Sequence, residues 1–365
     1  MREEKAREEI LRAAARLVEK GLIQRTWGNI SARVSGTQFL ITPSGLSYET
    51  LRADQLALVN IADGFFRGPV KPSSEKGIHA SVYRLRPDVE FVIHTHQTWA
   101  SIAAVEGRAV TGFSHPLLGK RIPCAGYGLP GTSHLHRAVA AEVAQWPDCR
   151  AFLMHRHGAL CLGRDMEDAF AASQALEEVC EARVRSVVDC RLDMTPPPDC
   201  GSSQRHGDSF TITLNGERKS YYIRDHHLPN AAAIHAAIYR MGHFQYIAHE
   251  ASPEVVAASN GWPILRPYLD DLAQIAGADV LCVRPKPQPV SLALSGRNAV
   301  LLRGEGALCA VGMESDVEAV CSLLRKGCAA RLYAQELPHC HPLSMADAVL
   351  QRMVYTHAYK KRMAG

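Results

Sequence analysis

The chain has 365 residues, with 41 Lys+Arg against 37 Asp+Glu and a formal net charge of +4. This length exceeds what one hydrophobic core usually holds and predicts two domains, and 47% apolar with 21% charged residues is the composition of a soluble globular protein. The modest charge, with no Lys/Arg run, argues against nucleic acid as a partner, and no stretch approaches the length of a membrane span.

The opening, MREEKAREEILRAAARLVEKG, is a charged helical pattern without the apolar segment of a secretory signal. Its apolar positions are Ile10, Ala13, Ala14, Leu17 and Val18, and Gly21 is placed to stop the helix. The eleven cysteines are scattered, odd in number and free of CxxC pairs, so they read as reduced thiols and place the chain in a cytoplasm.

Next comes Gln24-Arg-Thr-Trp-Gly-Asn-Ile-Ser31, expected as a turn-rich loop leading into a strand from Ala32 to Val34. It is either a tight connection or an anion nest, in which backbone N–H groups and the Asn29 amide hold phosphate oxygens. The loop Thr42-Pro-Ser-Gly45 and the serines Ser73 and Ser74 offer donors of the same kind. No GxGxxG or Walker pattern accompanies them, which argues against a nucleotide.

The stretch from Lys71 to Trp99 carries the densest chemistry. Ser73, Ser74 and Glu75 stand just ahead of a helix, and the strand that follows ends in His94-Thr95-His96. Residues alternate sides along a strand, so Val92, His94 and His96 share one face and two imidazoles point into one space, as chelation requires. A catalytic metal site needs a third ligand, for which His157 in Arg150-Ala-Phe-Leu-Met-His-Arg-His-Gly158 is the candidate. Glu75 is a helix-opening residue favoured by the dipole or, beside a divalent ion, a general base.

Five blocks in order, Gly28-Asn29-Ile30-Ser31, Ile41-Thr42-Pro43-Ser44-Gly45, Ser73-Ser74-Glu75, His94-Thr95-His96 and His157-Gly158, resemble the class II aldolase/adducin family, over roughly residues 3 to 190. The resemblance implies a three-layer α/β/α fold around a mixed, mostly antiparallel sheet. It implies Zn2+ at His94, His96 and His157 (three imidazoles also accept Mn2+ or Co2+), Glu75 as the proton-transfer base, and Gly28, Asn29, Ser44, Gly45, Ser73 and Ser74 around a substrate phosphate. The expected activity is that of a lyase cleaving or forming a C–C bond in a phosphorylated ketose through a zinc-stabilised enediolate. Relatives use the same site as epimerases, dehydratases or decarboxylases, and the adducin head is a binding module without the metal. Fuculose-phosphate aldolases carry a tyrosine about ten residues before the Ile122-Pro-Cys-Ala125 block; here the segment reads Gly112-Phe113-Ser114-His115, leaving His115 and Tyr127 as candidate acids. Family members assemble as rings of four, so a homo-oligomer is expected, either a dimer of tandem chains forming a pseudo-tetrameric ring or a tetramer.

A long helix follows Gly163, and then Thr195 to Gly207, rich in Pro, Gly and Ser, reads as a linker. The expected domains are residues 1–194 and 208–365. The second half repeats the first: Ile234-His-Ala-Ala-Ile-Tyr-Arg240 mirrors Ile78-His-Ala-Ser-Val-Tyr-Arg84, and Asn298 to Cys309 mirrors Arg150 to Cys161. Pro229, Asn230 and Ala231 replace Ser73, Ser74 and Glu75. An alignment with a two-residue deletion sets Ala248 and Glu250 opposite His94 and His96, and Glu305 opposite His157. His249, Glu250 and Glu305 are then the residual candidates for a different ion, and the second domain is expected to lack the metal ligands. A last helix is expected from Ser344 to about Lys361, ending in Lys360, Lys361 and Arg362.

Overall fold

The computed structural model of the chain describes residues 2–23 and 26–359. It divides into two compact units between Arg185 and Ser186.

The first unit runs α1 (Glu3–Glu19), β1 (Gly28–Arg33), β2 (Gln38–Ile41), β3 (Ala57–Asn60), β4 (Phe66–Arg67), α2 (Lys76–Leu85), β5 (Phe91–Thr95), α3 (Thr98–Ala103), β6 (Val110–His115), β7 (Gly119–Ile122), β8 (Cys124–Ala125), α4 (Ser133–Gln145), β9 (Ala151–Met154), β10 (Gly158–Gly163) and α5 (Met166–Val188). Eight strands form one sheet in the order β4-β3-β2-β1-β5-β10-β9-β8, and β6 with β7 makes a separate two-stranded ribbon. Every pairing in the large sheet is antiparallel except β8 with β9. The central strand β5 is buried on both faces, as expected where helices cover a sheet from either side. Val92, Phe152, Met154, Leu160 and Leu162 pack with Ile78, Val82 and Tyr83 of α2 and Leu135, Val139 and Val143 of α4. Against the opposite face lie α1, touching β1 and β2, and α3, touching β9 and β10.

The second unit repeats this plan with β11 (Ser202–His206), β12 (Ser209–Leu214), β13 (Glu217–Tyr222), α6 (Asn230–Tyr239), β14 (Tyr246–Glu250), α7 (Pro253–Gly261), β15 (Ile264–Leu265), α8 (Asp270–Ile275), β16 (Val280–Val283), α9 (Pro287–Ala293), β17 (Ala299–Leu302), β18 (Gly306–Val311), α10 (Val317–Gln335) and α11 (Met345–Val354). Its strand order, β13-β12-β11-β14-β18-β17-β16-β15, repeats seven strands of the first sheet, β3-β2-β1-β5-β10-β9-β8; β4 has no counterpart in it, and β15 is an added strand at the opposite edge. The one parallel pair again joins the strands flanking a helix, here β16 and β17 around α9. Phe210, Ile212, Ile247, Val300 and Leu308 build its core with Ile234, Ile238 and Tyr239 of α6 and Val290 of α9. The fold is a tandem duplication of one mixed α/β/α domain.

Three expectations need correction. Residues Gly28 to Ser31 are strand, not loop: both neighbours of β1 offer matching ladder partners, and that pairing overrides the turn preference of Gly and Asn. Residues 202–206, assigned to the linker on composition, form β11 inside the second sheet, paired with β12 and β14; Ser and Gln alternate there with a buried Ser203, a pattern carrying no apolar signal. The register of the second half shifts by one. Glu250 lies opposite Ala307 as Thr95 lies opposite Ala159, so His249 takes the place of His94 and Ala251 that of His96. Lys360, Lys361 and Arg362 lie outside the described residues, and so do Gln24 and Arg25. No helix among the described residues is long and apolar enough to cross a membrane.

Candidate metal centre and active site

Three elements bring the histidines together. His94 stands on β5 between Asn29 of β1 and Leu160 of β10, His96 follows the end of that strand, and His157 immediately precedes β10. Their ligand atoms all lie within 4.8 Å of one another, and no other such group of three occurs among the described residues. The Nε2 atoms of His94 and His96 are 3.2 Å apart, close to the roughly 3.3 Å separation of two nitrogens that ligate one tetrahedral zinc. His94 donates its Nδ1–H to the Ala159 carbonyl at 2.8 Å, which fixes the tautomer and leaves the Nε2 lone pair facing the centre. The donor set, three imidazoles with one held in its ligating tautomer, fits a divalent metal ion.

Glu75, the residue just before α2, is buried beside this group. One carboxylate oxygen lies 2.9 Å from His157 Nε2 and the other 3.2 Å from His94 Nε2. Burial pushes this carboxyl up, but the His94 and His157 imidazoles prevail and hold it well below the usual carboxylate range. Its two oxygens stand where the three imidazoles converge, placed to accept a proton there.

The candidate phosphate residues fall into two groups. The loops carrying Ser44 and Ser73 run side by side: Ser44 N–H donates to Lys71 O at 3.0 Å, and Ser73 N–H to Thr42 O at 3.1 Å. Ser74 is exposed, while Gly131 approaches its side chain closely enough that a Cβ there would lie 3.3 Å from Ser74 Cβ. Gly28 joins this region through Tyr48, whose hydroxyl donates to the Gly28 carbonyl at 2.8 Å. Asn29 differs: its side chain is buried, and its Nδ2 donates to Glu75 at 2.8 Å. Of the candidate acids, His115 accepts the Leu117 N–H in the ribbon turn at 3.1 Å, and Tyr127 packs against His155 and the guanidinium of Arg156.

Sequence reasoning missed the residues behind Asn29. His79 Nε2 lies 2.5 Å from Asn29 Oδ1, its Nδ1 2.6 Å from Ser31 Oγ, and Ser31 Oγ 2.7 Å from Tyr83 OH. The signal was present: His79 and Tyr83 are four residues apart on one face of α2, and that pair recurs as His235 and Tyr239 in the mirrored heptapeptide.

In the second unit the same position is differently made. His249 directs Nε2 at the Glu305 backbone carbonyl, 2.6 Å away, and its Nδ1 accepts the Cys200 N–H at 3.3 Å. Glu305, in the place of His157, takes a hydrogen bond from the Cys200 thiol at 3.0 Å. Both ring nitrogens of His249 thus face backbone groups, and Nδ1 also lies 3.4 Å from the Asp199 carboxylate.

The profile of the family described as class II aldolase and adducin N-terminal domain matches residues 8–184 and again 202–320. The chain belongs to the class II aldolase and adducin family, and it is a class II aldolase-like enzyme with a second copy of the domain in tandem. It is 34% identical over 190 residues to the 5-methylthioribulose-1-phosphate/5-deoxyribulose-1-phosphate aldolase of Rhodospirillum rubrum, covering 51% of this chain and 84% of that protein. It is 32% identical over 178 residues to the 5-deoxy-D-ribulose 1-phosphate aldolase of Bacillus thuringiensis serovar kurstaki, covering 48% and 82%. Among solved structures it is similar to L-fuculose-1-phosphate aldolase from Thermus thermophilus, at 25% identity and a TM-score of 0.43 over 49% of this chain and 92% of that one.

Proposed function

We propose that the first unit is a zinc-dependent lyase that cleaves or forms a C–C bond in a ketose 1-phosphate by way of an enediolate, releasing dihydroxyacetone phosphate and a small aldehyde in the cleavage direction. The observation that carries this reading is the buried Glu75 carboxyl group set against two of three convergent imidazoles. The relatives named above act on 1-phosphates of deoxy- and methylthio-ribulose, which supports a small phosphorylated ketose as substrate.

His94, His96 and His157 would hold the ion, which when bound would supply Lewis acidity for the carbonyl end of the substrate. Glu75 takes or returns the proton beside that carbonyl, and Asn29 holds the carboxylate in place for it. The Ser44, Ser73 and Ser74 hydroxyls, with the backbone at Gly28 and Gly45, receive the phosphate, and their separate loops are tied together by the bonds described above. The eleven cysteines, none in a disulfide, support a reducing, cytoplasmic setting. The tandem repeat supports assembly into a homo-oligomer, which light scattering at micromolar protein tests.

The deciding experiment is cleavage of a panel of ketose 1-phosphates by the unaltered protein and by Glu75→Gln. Turnover by the first and a loss of about 100-fold or more in the second, with phosphate-ligand affinity retained, is expected. Equal turnover by both removes Glu75 as the base, and no cleavage of any member with the metal bound removes the lyase reading.

A further inference from the structure

Behind Glu75 lies a buried file of hydrogen bonds with a single direction. Because Asn29 Nδ2 donates to Glu75, its Oδ1 faces His79 and must accept from Nε2–H. His79 Nδ1 then accepts from the Ser31 hydroxyl, and Ser31 Oγ in turn accepts from Tyr83 OH. His79 is fully buried, and burial pushes its pKa down to about 3, so the imidazole is neutral with one donor and one acceptor, as the file requires. Each donor in the series points toward the carboxylate, an arrangement in which successive bonds polarise one another.

The second unit is an internal comparison. Ser203 Oγ lies 2.6 Å from His235 Nδ1 and 2.7 Å from Tyr239 OH, reproducing Ser31, His79 and Tyr83 almost to the distance. There the file stops. His235 Nε2 meets the Cys200 backbone carbonyl at 3.0 Å, Gly201 stands where Asn29 would be, and Ala231 where Glu75 would be. The Tyr–Ser–His part therefore persists where no base is present and serves the fold; only the first unit extends it to a carboxylate.

We propose that His79 is a positioning residue for Glu75: its Nε2–H locks the Asn29 amide in the orientation that donates to the carboxylate, and so holds the base at the metal-binding histidines. This rests on the reading of Glu75 as the proton-transfer base. His79→Gln keeps a donor near the Nε2 position and loses the Ser31 contact; His79→Asn keeps the Ser31 side and loses the donor to Asn29. His235→Asn removes the equivalent imidazole where there is nothing to position.

The readout is exchange of the carbon-bound proton of dihydroxyacetone phosphate with D2O, followed by proton NMR, with melting temperature and metal content on each sample. His79→Asn is expected to slow the maximal exchange rate at least tenfold with half-saturating dihydroxyacetone phosphate and metal content unchanged. His79→Gln is expected to stay within a few-fold of the unaltered protein, and His235→Asn to lower the melting temperature without changing exchange. Exchange at full rate in His79→Asn overturns the proposal, as does an equal loss in His235→Asn. If His79→Asn fails to fold, a tenfold loss in folded His79→Gln overturns it equally. Absence of exchange in the unaltered, metal-loaded protein instead overturns the proton-transfer reading of Glu75, and with it any role for His79 in that step.

Discussion

His249 occupies in the second sheet the position that His94 occupies in the first, each opposite a leucine of the next strand, Leu308 and Leu160, yet the two rings use their nitrogens in opposite ways. His94 gives Nδ1 to a backbone carbonyl and leaves Nε2 at the centre; His249 gives Nε2 to the Glu305 carbonyl and turns Nδ1 to Cys200. With Ala251 and Glu305 in the other two ligand positions, the copy retains one imidazole, and its nitrogens face the backbone and the Asp199 carboxylate.

Metal content follows from this difference. Protein purified without chelators is expected to carry about one divalent ion per chain by mass spectrometry, lost in His96→Ala and unchanged in His249→Ala. Two ions per chain, with one lost in His249→Ala, contradicts the assignment.

Gly28 permits the close approach of β1 to β5. Its φ is +121°, and a Cβ there would lie 2.5 Å from the His94 carbonyl oxygen and 2.9 Å from Ile23 Cδ1. The first obstacle is the backbone of His94, one of the three convergent histidines, which cannot yield without moving that group. Gly28→Ala is expected to destabilise the first unit by roughly 2–4 kcal/mol and to weaken metal retention, read by chemical denaturation and by metal content after dialysis.

Glu177 ties the strand end that bears His96 to α5. Its two carboxylate oxygens each accept a backbone N–H at the start of α3, from Trp99 and Ala100, at 2.9 Å. Glu177→Ala leaves two helix-start donors without this cap, at a cost of about 2 kcal/mol. A drop of roughly 4–8 °C in the melting temperature of the first unit is expected by calorimetry, with faster loss of metal to a chelator.

The second unit should lose stability in mild acid. Burial pushes His235 down from 6.5 to about 4, so the unfolded chain takes up a proton that the folded one refuses. The contribution is present above pH 6.5 and is lost as pH falls toward about 4, at about 1.4 kcal/mol per pH unit. Urea titrations at several pH values should show this slope, and His235→Asn should remove it.

The residues that the structure brings together, His94, His96, His157 and Glu75, were legible in the sequence because each sits in a short block whose local geometry is set by its own element. Alternation along β5 puts His94 and His96 on one face, the start of α2 presents Glu75, and the two mirrored segments expose the duplication. Contacts between elements were not legible. That Asn29 serves Glu75, that His79 stands behind it, and that His249 is the true counterpart of His94 depend on strand register and on which helix face meets which strand. A one-residue shift in register exchanges the two faces of a strand, and no single segment carries the information that fixes it. The strand at residues 202–206 shows the same limit, since its polar residues become a strand only because β12 and β14 supply the hydrogen bonds on either side. Composition and local pattern decided which residues can act, and packing between strands and helices decided which of them act together.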